Sequence, residues 1–189
     1  LFAINQSSKA LLSELNLDIL YNLSVDVFSE LTQSAQTGFV LFDEARENYV
    51  LKAFKDIYNR EEQPFIRLTL NSSARIDVNR IIIDVSSEGD MTYFTNIFKE
   101  GPNVVKLLNA QYIVMLIKNG KVYGFVSLGK TVTGFHYKKS MFELIESLAS
   151  ATYIALSNAQ LFREVNKQKK LLHQKLENLV SLNKLVKNI

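Results

Sequence analysis

Catalysis and metal binding need nucleophiles, converging acid–base pairs or ligand clusters, and this sequence is nearly bare of them. It contains no cysteine, so disulfides, thiolate ligands and thiol nucleophiles are absent together. That composition fits a reducing compartment, and a cytoplasmic location is expected. The two histidines, His136 and His173, stand apart. His136, in Gly134-Phe135-His136-Tyr137-Lys138, has no second His, Cys or carboxylate at ligand spacing, so it is expected on the surface rather than on a haem or metal. His173 falls outside the apolar seam of a helical tail and is expected to be solvated. Asp43-Glu44 and Glu61-Glu62 are neighbours in turns, where carboxylates point into water instead of converging on a cleft. Ser72-Ser73 and Ser86-Ser87 lack His and Asp partners in a triad-like pattern. No glycine-rich phosphate loop occurs. No catalytic residue and no metal ligand is assigned, and this chain is not read as an enzyme.

The elements that would position any other site are clearer. Tyr112 to Ile117 and Val122 to Leu128 are β-rich runs flanking Lys118-Asn119-Gly120-Lys121, and Asn-Gly suits the positive φ angles of a type I′ turn. The spacing predicts a tight hairpin in which Ile117 faces Val122, Met115 faces Gly124, Val114 faces Phe125 and Tyr112 faces Ser127. Side chains alternate along a strand. One face then carries Ile113, Met115, Ile117, Gly124, Val126 and Leu128, and the other Tyr112, Val114, Leu116, Tyr123, Phe125 and Ser127. Both are mainly apolar, so both are expected to be covered.

Before the hairpin, Leu1, Ile4, Leu11, Leu12 and Leu15 recur at helical spacing. Asn16 then caps a second helix with Leu17, Leu20, Leu23, Val27 and Leu31 on one face. Strands are expected at Thr37–Phe42, Tyr49–Phe54 and Phe65–Leu70, the last after a charged loop with Arg60, Glu61, Glu62 and Pro64. A short helix over Ser72–Asn79, a strand over Arg80–Val85, a helix over Thr92–Lys99 stopped by Gly101-Pro102, and a further turn or two over Val104–Asn109 complete the middle. From Tyr137 onward the pattern is one long helix, with Phe142, Ile145, Leu148, Ala149, Thr152 and Leu156 on its core face.

At 189 residues and 47% hydrophobic side chains, the chain has room for one well-buried domain plus an appendage. The net charge of +3 is spread along the sequence, and Lys167, Lys169 and Lys170 lie on a polar stretch of helix. A nucleic-acid surface would focus its charge beside aromatic platforms, so no nucleic-acid partner is expected. No apolar run approaches the roughly 20 residues of a membrane span, and no membrane insertion is expected. The chain begins within a helical pattern and without Met, as a piece of a longer protein would.

The order of elements, and three stretches in particular, resemble the GAF family, a relative of the PAS domain. Ala10 to Leu31 is similar to its opening helices. Thr37-Gly-Phe-Val-Leu-Phe-Asp43 looks like its first strand. Val114 to Gly129, with Tyr123-Gly-Phe-Val-Ser-Leu-Gly129, followed by Met141 to Phe162, is the most specific match. The resemblance implies an α+β fold with a central antiparallel sheet of about six strands, terminal helices on one face and a helical insertion over the other. It implies a sensor domain over residues 1–165 and a coiled-coil signalling helix over 166–189, leading to an output domain such as a histidine kinase or cyclic-dinucleotide synthase. It further implies a small-molecule pocket under the insertion. Here that pocket would draw on Val40 and Phe42, Tyr112 and Val114, Phe125 and Ser127, with Tyr93 and Phe94 as the lid. The same set reads equally as a closed core, and it names no particular ligand or cofactor.

The family's chemistry can be tested residue by residue. Thioether-linked bilins and methionine sulfoxide reduction require cysteine, which is missing. The Asn-Lys…Phe…Asp-Glu signature of cyclic-nucleotide-binding members is matched only by Lys130 and Phe135, so cyclic-nucleotide binding is unsupported.

The tail carries the other expected function, a homodimer. Leu161, Val165, Gln168, Leu172, Lys175, Leu179, Leu182, Val186 and Ile189 alternate at spacings of four and three, the seam of a coiled coil. A second seam through Phe162, Val165, Lys169, Leu172, Leu176, Leu179, Asn183 and Val186 is nearly as good. Two close-lying packings of this kind suit a transmitting element, and a plain dimer stalk is the simpler reading.

Overall fold

The computed structural model describes residues 2–58 and 62–189, with backbone alone for residues 2–4. Of the positions singled out above, Leu1, Arg60, Glu61 and the side chain of Ile4 lie outside the described residues.

Asn119 and Gly120 turn the chain at φ angles of 52° and 72°, the mirror-image turn whose twist matches its flanking strands. They join β5 (Tyr112–Lys118) to β6 (Lys121–Leu128). Around this hairpin stand β1 (Gln36–Asp43), β2 (Asn48–Asp56), β3 (Arg67–Leu68) and β4 (Ile82–Asp84). The six strands form one sheet in the order β3-β2-β1-β6-β5-β4, and each neighbouring pair is antiparallel.

The hairpin register departs from the expected one after its first pairs. Ile117 opposes Val122 as the turn dictates, but Leu116 opposes Gly124, which leaves Tyr123 as an extra residue on β6. Beyond this bulge Met115 opposes Phe125, Val114 opposes Val126 and Tyr112 opposes Leu128. One inserted residue inverts which β5 and β6 side chains share a face.

Helices α2 (Leu17–Thr32) and α5 (Lys139–Lys187) cover one face of the sheet, and α1 (Phe2–Ser13) packs on these two helices. Their side chains Leu20, Phe28, Ile145, Leu148 and Leu156 form one buried cluster with Phe39, Leu41, Val114, Leu116, Val126 and Leu128. Asn16 caps α2 as expected, its Oδ1 accepting from the Ile19 amide at 3.2 Å. Over the other face lie α3 (Glu88–Ile97) and α4 (Gly101–Leu107). There Phe94, Ile97, Phe98, Val104 and Leu108 are buried against Val40, Tyr49, Ile83, Ile113, Met115 and Phe125. Each wholly buried side chain of this size stabilises the fold by about 1.5–3 kcal/mol.

Several local expectations need correction. Ser72–Asn79 forms turns, not a helix. Asn71 Oδ1 accepts from the Ser73 amide and Asp77 Oδ1 from the Asn79 amide, at 3.1 and 3.0 Å. These side-chain turns compete with helical hydrogen bonds for the same backbone groups. The helix expected from Thr92 starts at Glu88, because Ser87 Oγ accepts from the Asp90 amide and caps it. Gly101-Pro102 separates the two lid helices and also opens α4, where a proline in the first turn loses no helical hydrogen bond. The strand expected over Phe65–Leu70 shrinks to Arg67–Leu68.

α5 is one helix of 49 residues, about 73 Å long. Its buried positions end at Ala159, and from Gln160 to the end of the chain every residue is exposed. Among the described residues no helix is long and apolar enough to cross a membrane.

Candidate functional site

The sheet face beneath α3 and α4 holds most of the side chains predicted to line a pocket. Val40, Phe94, Phe125 and Ser127 are all wholly buried, and the first three belong to the lid-side cluster. Ser127 stands beside Leu108 of that cluster, since the Ser127 Oγ and Leu108 Cδ2 atoms flank the point where Gly38 lacks a Cβ. Phe42 sits at the edge, partly exposed, with its ring edge-on to Tyr49 at 5.3 Å. Tyr93 is half-buried against the lid-side cluster, its hydroxyl oxygen accepting from the Asp77 amide at 2.8 Å and the Arg80 guanidinium 4.8 Å above its ring.

Tyr112 and Val114 lie on the opposite face, a correction that follows from the bulge at Tyr123. Val114 is buried in the helix-side cluster. The Tyr112 ring meets Tyr137 and Phe142 at 5.0 and 5.1 Å. Their places beneath the lid are taken by Ile113 and Met115.

Two aromatics absent from the predicted set dominate the space. Phe98 packs edge-on against Tyr49 at 4.9 Å and Phe94 at 5.6 Å. Phe125 is held between Phe94 at 5.5 Å and Phe98 at 5.8 Å. Edge-to-face contacts of this kind add to simple burial. The Tyr49 hydroxyl donates to the Val122 carbonyl at 2.6 Å, and burial pushes its pKa up to about 12. In sequence, Phe98 follows Phe94 by one helical turn and Tyr49 opens a β-rich run. The rings of Phe94, Phe98, Phe125 and Tyr49 thus pack against one another between sheet and lid.

A cleft of about 450 Å³ lies between the 71–77 turns and α3. Asn71, Ser73, Arg75, Asp77, Tyr93 and Asn96 line it. Its size is that of a small-molecule site, and with Ala74 and Ile76 also in the lining it mixes polar and apolar groups where the inner face is aromatic.

The residues first considered for chemistry are placed structurally. Asp43 accepts from Lys52 Nζ at 2.8 Å and from the Arg46 amide at 3.1 Å, and the Lys52 hydrogen bond is the main cause holding its pKa below the usual carboxylate range. Ser86 Oγ donates to Asp84 at 2.7 Å. His136 and His173 are exposed, and His173 is 3.2 Å from Glu177 on the same helix. Among the described residues, no three His, Cys, Asp or Glu side chains gather to hold a metal ion. On the tail, Leu161, Val165, Leu172, Leu179, Leu182 and Val186 are 54–64% exposed.

No protein-family model and no curated protein matches the sequence. Solved structures do match its fold. A bacteriophytochrome from the photosynthetic bacterium R. palustris superposes with a TM-score of 0.63 at 8% identity, over 93% of this chain and 41% of its own. The GAF domain of an Acinetobacter phosphoenolpyruvate-protein phosphotransferase gives 0.58 at 15% identity, over 84% of this chain and 93% of its own. The fold is GAF-like. Residues 122 to 287 of a methyl-accepting chemotaxis protein give 0.58 at 14% identity, over 83% of this chain and 98% of that one. The GAF-like chain thus spans less than half of the bacteriophytochrome and nearly all of the two shorter structures.

Proposed function

We propose that this GAF-like chain is a regulatory sensing module of a cytoplasmic signalling protein, without catalysis of its own, that works as a homodimer through α5. The observation that carries this reading is the double role of one helix. α5 closes the sheet core through Ile145, Leu148, Thr152 and Leu156 and then continues, wholly exposed, with apolar residues at coiled-coil spacing. A rigid helix with both attachments passes a change in sheet packing to its far end, because packed cores switch between discrete arrangements. The domain division at about residue 165, with the helix leading to an output domain, belongs to the same proposal. So does the input, a small molecule or partner domain that displaces the lid over Val40, Phe42, Phe94, Phe125 and Ser127, or enters the cleft beside Tyr93. The names of the similar structures, a chemotaxis protein and a bacteriophytochrome, support a sensory role.

One observation favours a second reading, a ligand-free dimerisation scaffold: the four buried rings beneath the lid pack against one another. Native mass spectrometry of the purified chain separates the two. A dimer carrying extra mass that is lost on denaturation supports the sensor. A dimer of bare chains supports the scaffold, and a monomer at micromolar concentration sinks both.

A further inference from the structure

The exposed part of α5 offers two seams that share one column, Val165, Leu172, Leu179 and Val186. The first adds Leu161, Gln168, Lys175 and Leu182 within the helix and Ile189 beyond its last residue, and the second adds Phe162, Lys169, Leu176 and Asn183. Within α5 each addition contains two apolar and two polar residues, so the helical tail by itself leaves the seams balanced. The domain body breaks the tie. Stepped back by heptads, the first seam passes through Ile154 and Ser147, and the second through Ala155 and Leu148. Ile154 is 45% exposed, whereas Ala155 and Leu148 are both 0% exposed. Ser147 is exposed as well. The second seam therefore runs into the domain's own core, and only the first stays on the outward face.

Charge and polarity along the flanks favour the same seam. In a parallel pair, the residue before each shared-column or added a-type position meets the residue five places further along the other helix. With the first seam, Glu164 meets Lys169 of the second copy, Leu171 meets Leu176, and Asn178 meets Asn183. With the second seam, Gln168 meets His173, Lys175 meets Val180, and Leu182 meets Lys187. The first set pairs opposite charges, apolar with apolar and amide with amide. The second sets Lys175 and Lys187 against apolar side chains.

We infer that a second copy of this chain pairs with it in parallel, along a single seam that begins on the domain body. It runs through Ser147, Ala151, Ile154, Asn158, Leu161 and Val165 and on to the end of the helix. The inference rests on the dimeric reading above and adds its orientation and register. Ser147 and Ala151 are small enough for the two bodies to approach closely. Asn158, Gln168 and Lys175 place polar groups in the seam, which lowers stability but holds one register against slippage. An antiparallel pair would separate Glu164 from Lys169 and leave the Ile154 stripe uncovered.

The absence of cysteine makes the test direct. Light scattering of the unmodified chain reports the dimer. Single variants Ile154→Cys, Leu161→Cys, Leu182→Cys, Phe162→Cys and Asn183→Cys, each confirmed folded by circular dichroism, then report which positions cross-link under mild oxidation. A disulfide requires closely facing Cβ atoms, so the first three should cross-link about tenfold faster than the last two. Faster cross-linking at Phe162→Cys and Asn183→Cys within a dimer overturns the seam and leaves the dimeric reading standing. Self-cross-linking at none or only one of the tail positions overturns the parallel arrangement. Cross-linked tails with an unreactive Ile154→Cys overturn the extension onto the body. A monomeric chain overturns this inference together with the function proposed above.

Discussion

The Ser127 side-chain oxygen accepts a hydrogen bond from the Gly38 amide at 3.0 Å, across the β1–β6 pair. A hydroxyl that sequence reading offers to a ligand is thus engaged inside the sheet. The same atom would stand 2.6 Å from a Cβ at Gly38, with Leu108 Cδ2 at 3.2 Å. Gly38 is small because Ser127 and the lid occupy the space its side chain would need.

This pair should behave as a coupled unit. Ser127→Ala loses about 1 kcal/mol through the missing hydrogen bond, and Gly38→Ala loses about 1–3 kcal/mol through overpacking. In the double variant the nearest clashing atom is gone, so its loss should be smaller than the sum of the single losses. Urea unfolding of the three variants measures this, and strict additivity would refute the coupling.

Gly124 is held more rigidly. Its φ is 155°, and an added Cβ would lie 2.0 Å from the Val40 carbonyl and 2.9 Å from the Leu41 Cα. Backbone atoms in a central strand pair have nowhere to move. Gly124→Ala should cost on the order of 4 kcal/mol or more, and the chain should unfold or accumulate as aggregate. A soluble variant with an unfolding midpoint close to the original would contradict the close approach of β6 to β1.

Tyr49 gives a prediction in alkali. Its folded pKa of about 12 lies above the ordinary value of 10.0, and burial is the cause. The protonated form is therefore favoured in the folded state, and its contribution is fully present below pH 10. Above that pH the unfolded chain releases the proton first, so stability falls as pH rises from about 10 to 12, by roughly 2–3 kcal/mol in total. Denaturant midpoints measured across this range should fall less steeply in Tyr49→Phe than in the unaltered chain. Equal slopes would place the alkaline loss elsewhere.

The lid-side core can be opened deliberately. Phe125 is wholly buried between Phe94 and Phe98, and Phe125→Ala should cost about 3–5 kcal/mol. A dry apolar void of that origin takes up benzene-sized molecules, so added benzene should recover part of the lost melting temperature. Full destabilisation with no recovery would mean that the lid collapses onto the sheet instead of enclosing a space.

Much of this architecture was already present in the order of residues. Asn119-Gly120 dictates its own turn, Asn16 its own cap, and the apolar spacing from Phe142 to Leu156 its own helical face. Such features depend on neighbours along the chain, where backbone sterics and side-chain periodicity act without reference to the rest of the molecule. The two-sided covering of the hairpin follows from the apolar side chains on both its faces, whereas the GAF-like fold was legible through the resemblance of Ala10 to Leu31, Thr37 to Asp43, Val114 to Gly129 and Met141 to Phe162. The turns over 72–79 escaped because Asn71 and Asp77 tip a local competition whose outcome depends on how that segment wraps α3.

What only the tertiary structure decided concerns faces and space. Tyr123 bulges out of register where β6 presses against β1, and that single residue sends Tyr112 and Val114 to the helices instead of the lid. Whether Val40, Phe94 and Phe125 line a hollow or a packed core depended on Phe98 and Tyr49, which reach the same point from different elements. Within α5 the tail's two seams are equal in composition, and they differ in that the second, stepped back by heptads, meets the buried Ala155 and Leu148. Composition and spacing act locally, but volume and burial are shared between segments far apart in sequence, so their outcome exists only once the chain is folded.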